Sequence, residues 1–143
     1  MTVTRSFASA AALAAVAVGT AIPASAAPEL SGHYIETETG AGDRSTTNNW
    51  YFTPCGDGCV SVALKGAKAF GQAKLVGGQW TFDVTGETAM CQDGTSVPGA
   101  LSAHYTWDPT TLAGTVQTTA DAPECGDPAG LQATNKIQLR QAS

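Results

Sequence analysis

Residues 101–107 read Leu-Ser-Ala-His-Tyr-Thr-Trp, a strict alternation of apolar and polar side chains. In an extended chain, successive side chains point to opposite faces, so leucine, alanine, tyrosine and tryptophan share one face. A period of two over this length is typical of a half-buried β-strand. We predict a strand here, with Tyr105 and Trp107 facing a core and His104 facing solvent.

The same period recurs through the chain after residue 27, where no stretch of ten or more residues carries a convincing helical stripe. Turn signals rich in Gly, Asp and Pro separate the alternating segments. The pattern predicts eight strands, near residues 32–38, 49–54, 60–64, 69–76, 80–84, 101–107, 112–118 and 131–140.

Most connections between these strands are too short for a crossover helix, so consecutive strands should pair antiparallel. Eight strands in up-and-down order favour closure into a barrel, because closure removes the exposed edges. The predicted fold class is all-β, an eight-stranded antiparallel up-and-down meander that forms a small barrel. A β-sandwich is the main alternative.

The N-terminal segment has the features of an export signal. Arg5 precedes an apolar run over residues 7–18, and Ala-Ser-Ala at 24–26 follows as a cleavage site. The run is shorter than the roughly 20 residues needed to cross a bilayer. We predict a secretory signal peptide over residues 1–26, a single β domain over 27–143 and a secreted protein without a membrane anchor.

Four cysteines lie in the predicted mature part, where oxidising conditions favour two disulfides over a zinc site. In a meander, alternate turns lie at opposite ends of the strands. Cys55 and Cys59 bracket one turn, whereas Cys91 and Cys125 lie near the opposite end. A disulfide needs Cα atoms about 4.4–6.8 Å apart, and strands separate the ends by roughly 17–20 Å. The predicted pairs are therefore Cys55–Cys59 and Cys91–Cys125.

The motif Cys-Gly-Asp-Gly-Cys at 55–59 could also be a redox-active dithiol. Known thiol oxidants use a two-residue spacer at the start of a helix. Here the spacer has three residues and the context is a hairpin, which favours a structural disulfide.

Charge and motifs exclude several functions. With 12 acidic and 7 basic residues and a pI near 4.7, the chain has no basic surface for nucleic acid. The two histidines, His33 and His104, lie in no catalytic motif and are both predicted to be exposed. Glu36 and Glu38 share one strand face, which we interpret as solvated. We assign no catalytic residue and no cofactor, and predict that the protein is not an enzyme.

Two kinds of binding site are compatible with the pattern. A small apolar ligand could lie inside the barrel if the small residues Ala69, Gly71, Ala73 and Gly114 leave space, although the same pattern fits a filled core, which we favour. The candidate ligand-facing residues are aromatic: Trp50, Phe52, Trp80, Phe82, Tyr105 and Trp107.

Acidic loops give the second hypothesis, a calcium site or a surface for a cationic partner at the end that carries Cys91 and Cys125. No loop has the spacing of a known calcium motif, so a hydrated acidic rim is the favoured interpretation. The residues concerned are Asp43, Asp93, Asp121, Glu124 and Asp127.

Several short motifs resemble those of a known group. They are W-Y-F-T-P-C-G-D-G-C-V at 50–60, G-Q-W at 78–80, C-Q-D-G-T at 91–95 and T-L-A-G-T at 111–115. Together they resemble a family of small secreted actinobacterial, chiefly mycobacterial, proteins of unassigned function. The first motif is also similar to extracytoplasmic segments of some actinobacterial Ser/Thr kinases. The resemblance implies this fold and an extracellular location, and it implies no reaction.

These observations predict a secreted β-domain that acts as a binding or cell-envelope interaction module. The expected partner is an extracellular ligand or a cell-envelope protein, and the expected state is a monomer. The alternatives are a carrier of a small apolar ligand in the barrel, or an enzyme of unrecognised class.

Overall fold

The structure is a computed structural model and describes residues 29–143. One short 3₁₀ turn, Ala41–Asp43, follows the first strand. The strands are β1 Gly32–Thr39, β2 Ser45–Gly56, β3 Cys59–Ala63, β4 Ala69–Val76, β5 Gln79–Met90, β6 Ser96–Trp107, β7 Ala113–Ala120 and β8 Gln132–Gln141.

The eight strands form a closed barrel in which each strand pairs antiparallel with the next. Closure comes from β1, where Tyr34 lies opposite Trp50 of β2 on one side and Gln141 of β8 on the other. The predicted fold class is confirmed, and the sandwich alternative is wrong because the first and last strands are hydrogen-bonded to each other.

Three strands, β2, β5 and β6, extend four or more residues beyond their predicted limits. β2 begins at Ser45, within a polar segment that shows no alternation but pairs with β1. β5 continues to Met90 and β6 begins at Ser96. The register of this hairpin shifts between Val84 and Glu87, around Gly86, which has a φ of 73°. The shift breaks the period of two, which is the only signal of a strand that the sequence offers there.

The centre of the barrel is filled. Aromatic side chains from β2, β5 and β6 pack on one another within it. At Gly71 the ring of Phe82 lies where a side chain would be, 2.6 Å from an ideal Cβ position. At Gly114 the backbone of β6 takes up the corresponding space. Large rings thus pack against small residues at this level.

The connections define two ends of the barrel. The loop end carries the β1–β2, β3–β4, β5–β6 and β7–β8 connections, and the hairpin end carries the other three. β1 also begins and β8 also ends at the hairpin end.

Both predicted disulfides are confirmed, one at each end of the barrel. Cys55–Cys59 joins the ends of β2 and β3 at the hairpin end, with Cα atoms 5.1 Å apart. Cys91–Cys125 joins two connections at the loop end, with Cα atoms 5.2 Å apart. The distance between the two ends of the barrel, which is the length of the strands, therefore predicted the cysteine pairs correctly.

Within residues 29–143, the structure has no helix that is long and apolar enough to cross a membrane. The predicted signal peptide over residues 1–26 lies outside the described residues.

Candidate functional site

The inward-facing row of β1 changes from apolar to acidic toward the loop end. It runs from Tyr34 through Glu36 to Glu38. Tyr34 is a core residue, and Glu36 is the single buried charged residue of the described chain, with 0% of its surface exposed. The prediction that Glu36 and Glu38 form a solvated face is therefore wrong. Closure of the barrel turns this row toward the interior, so Glu36 has no contact with bulk water and Glu38 is only partly exposed.

Glu36 has only one of its two carboxyl oxygens satisfied. Asn48, on the adjacent strand, donates a 2.8 Å hydrogen bond from Nδ2 to Oε2. The other oxygen, Oε1, is buried and has no hydrogen-bond partner. Burial raises the pKa of Glu36, the Asn48 hydrogen bond partly opposes this, and the nearby Glu38 raises the pKa further. A buried carboxyl oxygen without a partner is costly and normally has an explanation.

A third carboxyl, Glu87, approaches from the other side of the barrel. It is half-buried, and the register shift in β5 aligns it with Leu101 of β6. Burial raises the pKa of Glu87, and the charge of Glu38 raises it further. Since β1 and β5 lie on opposite sides of the closed barrel, this repulsion acts across the interior.

Amides complete the acidic end of the interior. Asn135 of β8 donates a 2.5 Å hydrogen bond from Nδ2 to Oε1 of Glu38. Asn135 lies two residues before Ile137 and therefore belongs to the inward-facing row of β8 that contains Ile137 and Leu139. We call the resulting group the acidic mouth, and it consists of Glu36, Glu38, Glu87, Asn48 and Asn135. The acidic mouth lies at the loop end, where Asn48 is exposed to solvent.

Aromatic rings lie below the carboxyls. The ring of Tyr105 stacks on Phe82 at 4.7 Å, and Trp50 meets Tyr105 edge-on at 5.4 Å. Burial raises the pKa of Tyr105 above its usual range, and the charges of Glu87, Glu38 and Glu36 add to this effect. The hydroxyl of Tyr105 therefore stays protonated at physiological pH and is available as a hydrogen-bond donor.

Among residues 29–143, no basic side chain forms an ion pair with the acidic mouth. In the described part of the chain, the one ion pair within 4.0 Å joins Asp83 and His104 on the outer face. The neighbouring hydrogen bonds to Glu36 and Glu38 come from neutral amides. In the part of the chain that the structure describes, the mouth thus combines three carboxyl groups with neutral amide donors.

The three carboxyls do not form a compact metal-binding group. Within residues 29–143, one group of three candidate ligands lies within 4.8 Å, and it comprises Cys91, Glu124 and Cys125. The oxygens of Glu36, Glu38 and Glu87 are therefore not all this close. A Ca²⁺ ion binds six to eight oxygens at about 2.3–2.6 Å, so this arrangement does not favour a single Ca²⁺ ion held by all three carboxyls.

The six aromatic residues proposed as ligand-facing all point into the barrel. Five are buried core residues and touch one another. Tyr105 is only partly buried and is the one that borders the acidic mouth. The remaining members of this set are Trp50, Phe52, Trp80, Phe82 and Trp107.

Three of the acidic residues proposed as a calcium rim, Asp93, Glu124 and Asp127, line one open surface pocket at the loop end, but their carboxylates do not form a group of three within 4.8 Å. Asp93 accepts hydrogen bonds from the backbone and hydroxyl of Thr95, which lower its pKa. Asp121 accepts one from Ser102. Glu124 and Asp127 are joined only through their backbones. The group that does converge with Glu124 contains Cys91 and Cys125, which are bonded to each other.

The two histidines take part in surface contacts. His104 is exposed as predicted, with Nδ1 2.6 Å from Asp83 and Nε2 3.4 Å from the Thr81 hydroxyl. These three side chains lie on the outer face of the β5–β6 pair, where Asp83 is aligned with His104 and Thr81 with Thr106. His33 is only half-exposed, and its ring stacks on Tyr51 at 4.6 Å.

No protein-family model, curated protein or solved structure matches this chain. The resemblance to secreted actinobacterial proteins therefore stays a prediction. The candidate site rests on the geometry of the acidic mouth alone.

We expect Glu36→Gln to stabilise the ligand-free protein at neutral pH. The unfolded side chain titrates near 4.5, and burial raises the folded pKa above that value. The folded state then binds the proton more tightly, so stability falls as pH rises from about 4.5 through the folded pKa. Glutamine keeps an acceptor for Asn48 and cannot ionise.

The measurement is thermal unfolding of both proteins at several pH values from 4 to 7. The unfolding temperature of the variant should equal that of the wild type near pH 4 and be higher at pH 7. Each kcal/mol gained in unfolding free energy should raise it by roughly 3–6 °C. The difference between proteins is the correct readout, because the lowered pKa values of Asp93 and Asp108 cause an opposite loss as pH falls. A constant difference across this range would contradict the assignment.

Proposed function

We propose that the protein is a secreted binding module that takes a small organic cation in the acidic mouth of its barrel. The observation that carries the proposal is the fully buried Glu36, whose Oε1 has no partner. A ligand N–H group would satisfy that oxygen, and a positive charge would relieve the repulsion between Glu36, Glu38 and Glu87.

The arrangement favours an organic cation over a metal ion. An amine or guanidinium with several N–H donors can bridge carboxyls that do not form a compact metal-binding group. The rings of Tyr105 and Trp50 form an aromatic floor, and a cation over such a floor gains further attraction. The exposed Asn48 amide provides a polar edge through which a water-soluble ligand can enter.

Export supports the same kind of role. Two disulfides are typical of chains that fold in an oxidising compartment. The sequence features of a signal peptide and the resemblance to secreted actinobacterial proteins agree with this. A binding site at one end of a closed barrel suits a module that captures ligands outside the cell.

The test is a titration of the purified protein with matched small molecules, in which binding is measured by tryptophan fluorescence and by calorimetry. Putrescine and spermidine carry amines, 1,4-butanediol is their uncharged counterpart, and Ca²⁺ is the bare ion. Trp50 reports on the site because its ring contacts Tyr105. We expect saturable binding of the amines that weakens with ionic strength, and none of the diol.

Variants locate the binding site. Glu36→Gln should weaken amine binding by about 30-fold or more, because removing one partner of a buried charge pair costs about 2–5 kcal/mol. Asp57→Asn is the matched control, since it removes the same charge from an exposed turn at the hairpin end. The proposal is wrong if neither amine binds saturably, or if the two variants bind amines equally well.

A carrier of a small apolar ligand is the alternative function. The ring of Phe82 and the backbone of β6 occupy the space beside Gly71 and Gly114, so these small residues leave no room for a ligand beside them. Saturable fluorescence changes with uncharged lipids or phenolic compounds, unaffected by Glu36→Gln, would favour this candidate.

A further inference from the structure

The disulfide at the hairpin end has two sulfurs in different surroundings. Cys55 is exposed, and Cys59 is buried, with 7% of its surface accessible. The turn between them contains Asp57, which is exposed. A thiol in solution can therefore approach the sulfur of Cys55 far more easily than that of Cys59. An attacking thiol is therefore expected to bond to the sulfur of Cys55 and to displace that of Cys59.

A lysine lies against the buried sulfur. Lys74 of β4 is directly opposite Cys59 of β3, and its Nζ donates to the Sγ of Cys59 at 3.0 Å. A neighbouring ammonium stabilises a thiolate, and a thiolate of lower basicity is a better leaving group in disulfide exchange. The structure thus provides an accessible sulfur to attack and a stabilised sulfur to leave.

The other disulfide has the opposite electrostatic surroundings. A carboxyl oxygen of Glu124 lies within 4.8 Å of both sulfurs of Cys91–Cys125. A negative charge there repels an attacking thiolate and destabilises a departing one. Ring size favours the same order, because the short ring closed by Cys55–Cys59 stabilises the fold less than the long ring closed by Cys91–Cys125.

We propose that Cys55–Cys59 is a thiol–disulfide exchange site for low-molecular-weight thiols. The thiolate of the reagent attacks Sγ of Cys55, a mixed disulfide forms there, and the Cys55–Cys59 bond breaks. Its electron pair goes to Sγ of Cys59, which leaves as a thiolate beside Lys74. A second thiol then releases the reagent as its own disulfide and leaves the dithiol form of the protein.

The dithiol form keeps its strands paired. β2 and β3 are held together by the ladder that places Phe52 opposite Val62, and both residues lie in the core. Opening the disulfide therefore changes the hairpin tip without opening the barrel. The exchange is independent of the acidic mouth, which lies at the other end.

The experiment measures the opening of each disulfide in the native protein. Reduced glutathione is added at neutral pH without denaturant, samples are alkylated over time, and peptides are identified by mass spectrometry. We expect Cys55–Cys59 to open at least about tenfold faster than Cys91–Cys125, with glutathione attached to Cys55. Equal rates, or glutathione attached mainly to Cys59, would overturn the proposal.

Variants isolate the contribution of the lysine. Lys74→Met keeps the length of the side chain without its charge and should slow the opening roughly three- to tenfold, whereas Lys74→Arg should restore most of the rate. Lys68→Met removes an exposed charge from the loop end and is the control. Unfolding temperatures check that each variant is folded. If folded Lys74→Met opens as fast as the wild type, Lys74 has no such role and the proposal fails.

Discussion

Replacing Gly114 with alanine is expected to destabilise the barrel by about 3 kcal/mol or more, or to prevent folding. An ideal Cβ at this position would lie 1.8 Å from the carbonyl oxygen of Thr106 and 2.6 Å from Cα of Trp107. Both atoms belong to the backbone of β6, which pairs with β7 at this point. The methyl group can be accommodated only if the two strands move apart, which breaks their hydrogen bonds.

Two further variants make this prediction specific. Gly71→Ala meets the ring of Phe82, a side chain that can shift, so its cost should be smaller, about 1–3 kcal/mol. Gln117→Ala lies on the exposed face of β7 and should change stability by no more than about 0.5 kcal/mol. Denaturant unfolding measures all three. A midpoint for Gly114→Ala equal to that of Gln117→Ala would show that β6 and β7 do not approach this closely.

Removing the disulfide at the loop end should have the second largest effect. The double variant Cys91→Ser with Cys125→Ser frees a ring of 35 residues and should lose about 4 kcal/mol. The corresponding Cys55→Ser and Cys59→Ser variant frees a much shorter ring and should lose about 2 kcal/mol. The physical reason is the greater conformational entropy that the longer open chain gains on unfolding.

Urea or guanidinium unfolding at a fixed temperature gives both losses directly. A domain of ordinary stability has only about 5–15 kcal/mol in total, so the first double variant should unfold at a much lower midpoint. Equal losses of unfolding free energy, or a larger loss for the hairpin disulfide, would show that chain entropy does not determine which disulfide stabilises the fold more.

The fold could be predicted because its main signals are local. The alternation at residues 101–107 and the short connections are sufficient for eight antiparallel strands. From that order alone, the length of the strands excludes disulfides between the two ends. The limits of β2, β5 and β6 could not be predicted, because polar pairing and a register shift leave no apolar period.

The acidic mouth was missed for a different reason. Glu36 and Glu38 have the same parity as the core residue Tyr34, and Asn48 has the parity of Trp50. The parity was visible, but a charged side chain is normally assigned to solvent because its burial is costly. The third carboxyl, Glu87, gave no such signal, since the shift around Gly86 changes which face its strand presents.

The contact between lysine and sulfur at the hairpin end also depends on register. Lys74 and Cys59 are 15 residues apart and meet only because β3 and β4 pair in one particular alignment. That alignment includes a shift next to Val62, which periodicity does not reveal. Contacts between side chains on paired strands therefore could not be predicted from the sequence and required the three-dimensional structure.

Antiparallel pairing of the first and last strands also determines how the molecule can be handled. The chain enters β1 and leaves β8 side by side, and the backbone N–H of Ala142 donates to the carbonyl of His33 at 2.9 Å. Glu36 and Glu38 lie toward the loop end, away from these two residues. A protein tethered through its C-terminal residues to a bead or sensor chip would therefore present its opening to the sample, unobstructed by the support.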